Sequence, residues 1–285
     1  VATTKEDAHR AVSAMLEQGT FGQAGRRVLI EQFLVGEEVT VMAFTDGKTV
    51  IPMVAAQDHK RVGEGDTGAN TGGMGAYAPA PIATPALFKT VTQSVFCPII
   101  DALSRLGSPF QGVLYAGLMV VRDRPYVLEF NARFGDPETQ VVLPLLKTDL
   151  LDVIEAVVEH RLDQFTIAWH QKAAVCVVLT SGGYPGSYVT GKPITGLSET
   201  APSDNIIVFH AGTKRQGTDT VTAGGRVLGV TGTRLSSRSC YLVRGLLLSI
   251  RHCSSCTRFE RLSRRGRIWK RSRSDHGRGT DASVW

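Results

Sequence analysis

The chain has 285 residues, with 32 Lys and Arg against 26 Asp and Glu, a formal charge of +6, and a hydrophobic content of 42%. That length and apolar fraction supply a core for one or two domains and exclude a disordered or collagen-like chain. No uninterrupted run of about 18 apolar residues occurs, so no membrane-spanning segment and no membrane partner are expected.

The positive charge is unevenly placed. Residues 1–232 carry 19 Lys and Arg against 23 Asp and Glu, a net of −4, whereas residues 233–285 carry 13 against 3, a net of +10. A basic balance would ordinarily suggest nucleic acid or an acidic membrane surface, but here it belongs to the tail, and no nucleic-acid partner is expected for the body of the chain. The sequence opens Val-Ala-Thr-Thr with no initiator Met, basic n-region or apolar h-region, so it reads as a piece of a longer polypeptide without a secretory signal. Five sparse Cys give no disulfide framework and fit a reducing, cytoplasmic compartment.

In chain order, Thr3 or Thr4 with Glu6 or Asp7 three residues on predicts a capped helix through Leu16 that closes near Gly19. Arg27 to Leu34 reads as a strand. Glu38 to Phe44, a turn at Asp46-Gly47 and Thr49 to Met53 read as a hairpin. From Arg61 to Pro81 the composition turns to Gly, Asn, Thr and Pro and predicts a long loop, followed by a helix from Pro85 to Leu106 that ends at Gly107. A strand pair is expected over Gly112 to Val121 and Tyr126 to Phe130, and a helix over Asp149 to His160. Short apolar strands from Ala173, Ile206 and Arg226 make residues 165–232 a small β-rich unit.

Three stretches carry chemistry. In Glu129-Phe-Asn-Ala-Arg-Phe-Gly-Asp-Pro-Glu138, alternate strand residues share a face, so the Glu129 carboxylate and the Asn131 amide oxygen converge on one hard cation, with Arg133 beside them as a fork for phosphate or carboxylate. A strand end with ordinary solvated polar residues is the plain alternative. In Asp58-His-Lys-Arg61 and Asn70-Thr-Gly-Gly-Met-Gly-Ala-Tyr77, glycines 72, 73 and 75 let backbone N–H groups turn toward an anion near Lys60 and Arg61, although many surface loops share this composition. In Ile30-Glu-Gln-Phe-Leu-Val-Gly-Glu-Glu38, carboxylates beside an apolar edge suit ribose hydroxyls, and a solvated acidic turn competes with that reading. Cys253-Ser-Ser-Cys256 has a metal-like spacing but lacks a second Cys or His pair.

Taken in order, these segments, with Phe209-His-Ala-Gly-Thr213 and Gly224-Gly-Arg-Val-Leu228, resemble the phosphoribosylamine–glycine ligase family of the ATP-grasp superfamily over residues 1–232. The resemblance implies an α/β fold of the ATP-grasp kind. Residues 1–28 would be a remnant of a lid subdomain, 29–164 the main lobe, 165–232 part of a β-rich C-terminal domain, and 233–285 a basic tail foreign to the family. It implies ATP-dependent ligation of glycine to 5-phosphoribosylamine through a glycyl phosphate, in purine biosynthesis. By the same resemblance Glu129 and Asn131 hold Mg²⁺ or Mn²⁺. Glu31, Phe33, Leu34 and Glu38 line the nucleotide pocket. Asp58, Lys60, Thr71, Gly72 and Met74 surround phosphates and substrates, with Arg133 and Asp136 as catalytic groups.

Three departures are visible. The place of a further metal-binding Glu aligns near Gly117, the family's phosphate-covering loop would precede Val1, and the closing segment of the family is replaced after Gly232 by Arg- and Ser-rich sequence. The isolated chain is therefore expected to be inactive, and its tail to be an out-of-frame or unspliced translation, a nucleic-acid-binding tail being the competing reading. Another ATP-grasp carboxylate–amine ligase, or a non-catalytic nucleotide- or polyanion-binding fragment, are the alternatives in function.

Overall fold

The structure, a computed structural model, describes residue 2 and residues 4–197 and 205–234. The tail from 235 onward, with its Cys pair, lies outside the described residues. Thr4 caps the first helix, α1 (Lys5–Leu16), by accepting the Asp7 N–H on Oγ1 at 3.0 Å. Glu6 and Asp7 lie in the first turn, where the helix dipole favours acidic side chains.

Residues 27–36 form neither helix nor strand, so the strand expected over Arg27 to Leu34 is absent. Its β-rich composition is real, but no segment among the described residues pairs with it, and Leu29, Ile30, Phe33 and Val35 stand exposed. A strand is held by its ladder and its packing, and residue preference alone does not supply either. Gly36 closes the stretch because a Cβ there would lie 2.2 Å from the Val120 carbonyl oxygen.

The expected hairpin forms as β1 (Glu37–Thr45) and β2 (Val50–Pro52), paired from Ala43 with Pro52 to Thr45 with Val50. Asp46 Oδ1 accepts the N–H groups of Lys48 and Thr49 at 3.0 and 2.7 Å, and Gly47 takes φ +93°, so the Asp-Gly pair sets the turn. Next come β3 (Gln57–Asp58), β4 (Arg61–Gly63), β5 (Thr67–Asn70) and β6 (Gly75–Ala78). The stretch expected as a loop from Arg61 to Pro81 thus contains strands. Ladder pairing needs only backbone, and small residues help it here, since a Cβ on Gly75 would sit 2.6 Å from the Cys176 carbonyl oxygen.

Thr84 caps α2 (Pro85–Val91), which continues through a π turn (Thr92–Phe96) into α3 (Cys97–Arg105). By length and composition alone this helix could cross a bilayer. Instead it packs Leu87, Val91, Phe96 and Ile100 on the first sheet. Strands β7 (Gly112–Val121) and β8 (Arg124–Asn131) follow, joined by Arg122 and Asp123 at positive φ, then α4 (Thr139–Val142) and α5 (Leu150–Val158) with Asp149 as its cap. The described residues close with β9 (Ala173–Thr180), β10 (Ile206–His210), the hairpin β11 (Thr213–Gln216) and β12 (Asp219–Thr222), and β13 (Arg226–Arg234).

Two sheets organise these elements: an antiparallel one in the order β2-β1-β7-β8, and a five-stranded one in the order β10-β13-β9-β6-β3. Strand alternation gives the first sheet two buried faces. Val39, Val41, Leu114, Ala116 and Leu118 meet α2 and α3, while Met42, Phe44 and Tyr115 meet Val142, Leu145 and Val153. The second cluster also takes in Ala76 and Cys176, so it continues into the five-stranded sheet, which draws strands from both sides of residue 165.

Candidate functional site

The ladder of the first sheet places the polar residues. Glu38 is opposite Met119 and Thr40 opposite Gly117 on β1 and β7; Gly117 is opposite Glu129 and Tyr115 opposite Asn131 on β7 and β8. Opposed residues share a face, so Glu38, Thr40, Tyr115, Glu129 and Asn131 all project to the side away from α2 and α3. Asn131 Nδ2 donates to Glu129 Oε1 at 3.3 Å, and Arg133, just past the strand, points Nη2 at Asn131 Oδ1 at 3.5 Å while Nη1 donates to the Phe134 carbonyl at 3.0 Å. The row expected at 129, 131 and 133 is therefore assembled.

Across from this row, Lys60 Nζ pairs with Glu38 Oε2 at 3.2 Å. Burial pulls the Lys60 ammonium down, but the Asp58 and Glu38 carboxylates outweigh it and hold the amine above its ordinary value. Asp58 responds oppositely. Burial first, and repulsion from Glu138 and Glu38, push its carboxyl up to about 6 against the pull of Lys60. Glu138 is itself buried, and its Oε1 accepts the Tyr115 hydroxyl at 2.6 Å and the Thr40 hydroxyl at 3.2 Å. Burial and the Glu138 charge together drive the Tyr115 phenol well above its ordinary range, so it stays a donor.

The Gly-rich segment is folded onto this group from one side. The Thr71 N–H and hydroxyl both donate to the Lys60 carbonyl at 2.7 Å, the Gly73 N–H donates to Thr71 Oγ1 at 3.0 Å, and the Met74 N–H donates to the His59 carbonyl at 2.7 Å. Gly73 takes φ +110°, and a Cβ there would lie 2.4 Å from Pro137 Cδ. Asp136, in the turn after Arg133, has both oxygens engaged: Oδ2 with Arg226 Nη2 at 2.9 Å and Oδ1 with Gln140 Nε2 at 2.7 Å.

Of the residues singled out from the sequence, Glu38, Asp58, Lys60, Glu129, Asn131 and Arg133 converge on the sheet face, and Thr71, Gly72, Met74 and Asp136 border it through the Gly-rich segment. Glu31 and Phe33 are exposed and Leu34 half-buried on the irregular stretch before β1, and the structure does not bring them to the others by a hydrogen bond or ion pair. Three residues that local reading passed over now stand out: Tyr115, Glu138 and Arg226. Glu138 closes a quoted motif and Arg226 sits in another, but their partners come from distant parts of the chain.

The donor set can be tested against a metal. Among the described residues no group of three or more His, Cys, Asp and Glu is arranged to hold an ion. One carboxylate and one amide oxygen make no closed cage for a transition metal. By donor type they suit a hard cation such as Mg²⁺, which keeps waters and takes phosphate oxygens for the rest of its shell, while in this structure Asn131 turns Nδ2 to Glu129 and Oδ1 to Arg133.

Comparison with known proteins identifies the family. Residues 1–139 match the family model described as phosphoribosylglycinamide synthetase, ATP-grasp (A) domain, and residues 174–240 match the C domain of the same synthetase. The chain is 51% identical over 250 residues to a phosphoribosylamine–glycine ligase of Synechocystis, covering 86% of this chain and 58% of that protein. It is 55% identical over 235 residues to the ligase of Nostoc, covering 81% and 55%. It is also 51% identical over 232 residues to the trifunctional purine biosynthetic protein adenosine-3 of Gallus gallus, covering 81% and 23%. The chain thus spans little more than half the length of the first two relatives. Among solved structures, phosphoribosylamine–glycine ligase of Thermotoga maritima superposes with a TM-score of 0.74 at 29% identity, over 87% of this chain and 61% of that one. An L-amino acid ligase of Bacillus licheniformis, at 19% identity and a TM-score of 0.53 over 82% and 59%, shares the fold. With both family models matched in order on an α/β ATP-grasp fold followed by a β-rich unit, the chain belongs to the phosphoribosylamine–glycine ligase family.

Proposed function

We propose that the protein ligates glycine to 5-phosphoribosylamine with ATP converted to ADP and phosphate, a step of purine biosynthesis carried out in the cytoplasm. The observation that carries this reading is the shared sheet face of Glu38, Glu129 and Asn131, with Lys60 against it and the Gly-rich segment folded alongside. A carboxylate is a poor electrophile. Transfer of the γ-phosphoryl group to a glycine carboxylate oxygen creates a leaving group, and the amine nitrogen then attacks the carbonyl carbon as phosphate departs and the nitrogen loses a proton.

Glu129 and Asn131 are the residues that would hold the divalent ion, Mg²⁺ or Mn²⁺, which supplies charge neutralisation on the transferred phosphoryl group when bound. Lys60 adds a fixed positive charge, kept protonated by Asp58 and Glu38. Arg133 supplies a planar fork on the same row. Gly72 and Met74 shape the wall nearest the phosphates, and Glu31, Phe33 and Leu34 are assigned to the nucleotide's base and ribose. Asp136 belongs to this wall as well. Residues 29–164 would form the main lobe and 165–232 part of a C-terminal domain.

The test supplies ATP, Mg²⁺, glycine and phosphoribosylamine and follows ADP and glycinamide ribonucleotide. For a polypeptide of the relatives' full length carrying these residues, equal yields of both, with loss of at least about 100-fold in Glu129→Gln, are expected, whereas the 285-residue chain alone is expected to be inactive. ADP release that ignores glycine and amine would overturn the assignment.

A further inference from the structure

One guanidinium joins three distant segments beside the site. Arg226, the first residue of β13, donates through Nη1 to the Gly72 carbonyl and, at 2.9 Å, to the Asp136 carbonyl, and through Nη2 to Asp136 Oδ2 at 2.9 Å. The N–H of the same Gly72 donates to the Tyr184 hydroxyl at 3.1 Å. Both backbone polar groups of this exposed glycine are thus held by side chains that follow β9 in the chain. The approach is close. A Cβ on Gly72 would lie 3.0 Å from Arg226 Cζ, and a Cβ on Gly225 would lie 2.4 Å from Tyr184 Cδ2.

Both held segments lead into the acid–base group. The Gly-rich segment returns through Thr71 to the Lys60 carbonyl, and the Asp136 turn continues to Glu138 and hence to Tyr115. Asp136, with Oδ2 on Arg226 and Oδ1 on Gln140, has the contacts of a counter-ion within the brace. A planar fork can serve two carbonyl oxygens and a carboxylate together, which a single ammonium cannot.

We infer that Arg226 is a positioning residue, which with Asp136 as its counter-ion braces the Gly-rich segment at 71–74 against the turn at 135–137. The two walls of the site are thereby set by a residue of the β-rich unit. The purpose of the braced walls rests on the ligase reading, whereas the brace itself rests on the contacts alone.

Hydrogen exchange on the 285-residue chain tests it without any turnover, so its outcome is separate from that of the ligation assay. Arg226→Ala should raise exchange at the amides of 72–74 and 138–142 by about tenfold or more, with β9 and β13 amides unchanged. Added methylguanidinium should restore part of the protection. Arg226→Lys should keep the 138–142 protection, through its charge on Asp136, and lose that of 72–74. No rise in either segment, or a rise spread equally over β9 and β13, would overturn the brace. Should the alanine variant fail to fold, the lysine variant decides by the same comparison.

Discussion

Glu129 lies directly across the β7–β8 ladder from Gly117, and a Cβ at position 117 would stand 3.2 Å from Glu129 Cγ. The missing side chain leaves room for the Glu129 side chain, whose carboxylate accepts from Asn131 two residues along the same strand. Gly117→Ala should therefore push Glu129 aside by a few tenths of an ångström. The expected cost is about 1 kcal/mol or less in urea unfolding, with magnesium-dependent ADP binding weakened several-fold in calorimetry.

Tyr115 donates to a buried carboxylate. Tyr115→Phe removes the 2.6 Å hydrogen bond to Glu138 and leaves that oxygen with Thr40 at 3.2 Å. A loss of about 2 kcal/mol at neutral pH is expected, because a hydrogen bond to a charged group is among the stronger ones. Urea unfolding of the variant beside the parent measures that loss. A loss below about 0.5 kcal/mol would mean that the bond contributes little to stability.

Asp58 sets a pH dependence of stability with a definite sign. Its carboxyl is pushed up to about 6 in the fold from 3.8, so between those values the native state binds more protons than the unfolded chain. Stability from this group falls as pH rises through that window. Asp58→Asn removes the effect. The stability of the variant relative to the parent should climb by roughly 1–2 kcal/mol from pH 4 to pH 7, measured by urea titration at each pH.

The two adjacent glycines should respond unequally. Gly73→Ala meets both a positive φ and Pro137 Cδ at 2.4 Å, and should cost about 2 kcal/mol or more, whereas Gly72→Ala meets no positive φ and a wider approach, Arg226 Cζ at 3.0 Å, and should cost less. Thermal unfolding of both variants provides the comparison.

The sequence carried the strand face at 129, 131 and 133 because alternation is a local rule, and the Asp46-Gly47 hairpin because turn chemistry is local too. Its failures have physical causes. Arg27 to Leu34 has strand composition but no ladder partner among the described residues. The stretch 61–81 has loop composition, yet β6 pairs with both β3 and β9 because backbone alone makes the bonds. Arg226 stayed hidden since its partners lie 154 and 90 residues away, a distance at which no motif spacing operates. The buried Glu138 was equally silent, as an acidic residue after Asp-Pro carries no local sign of burial.

The most direct measurement is calorimetric titration of the 285-residue chain with ADP, with and without Mg²⁺, beside Glu129→Gln and Lys60→Ala. Binding that needs Mg²⁺ and weakens about tenfold or more in each variant is the expected result, since both residues face the phosphates in this account. Equal binding without the metal, or binding indifferent to Glu129 and Lys60, would contradict it.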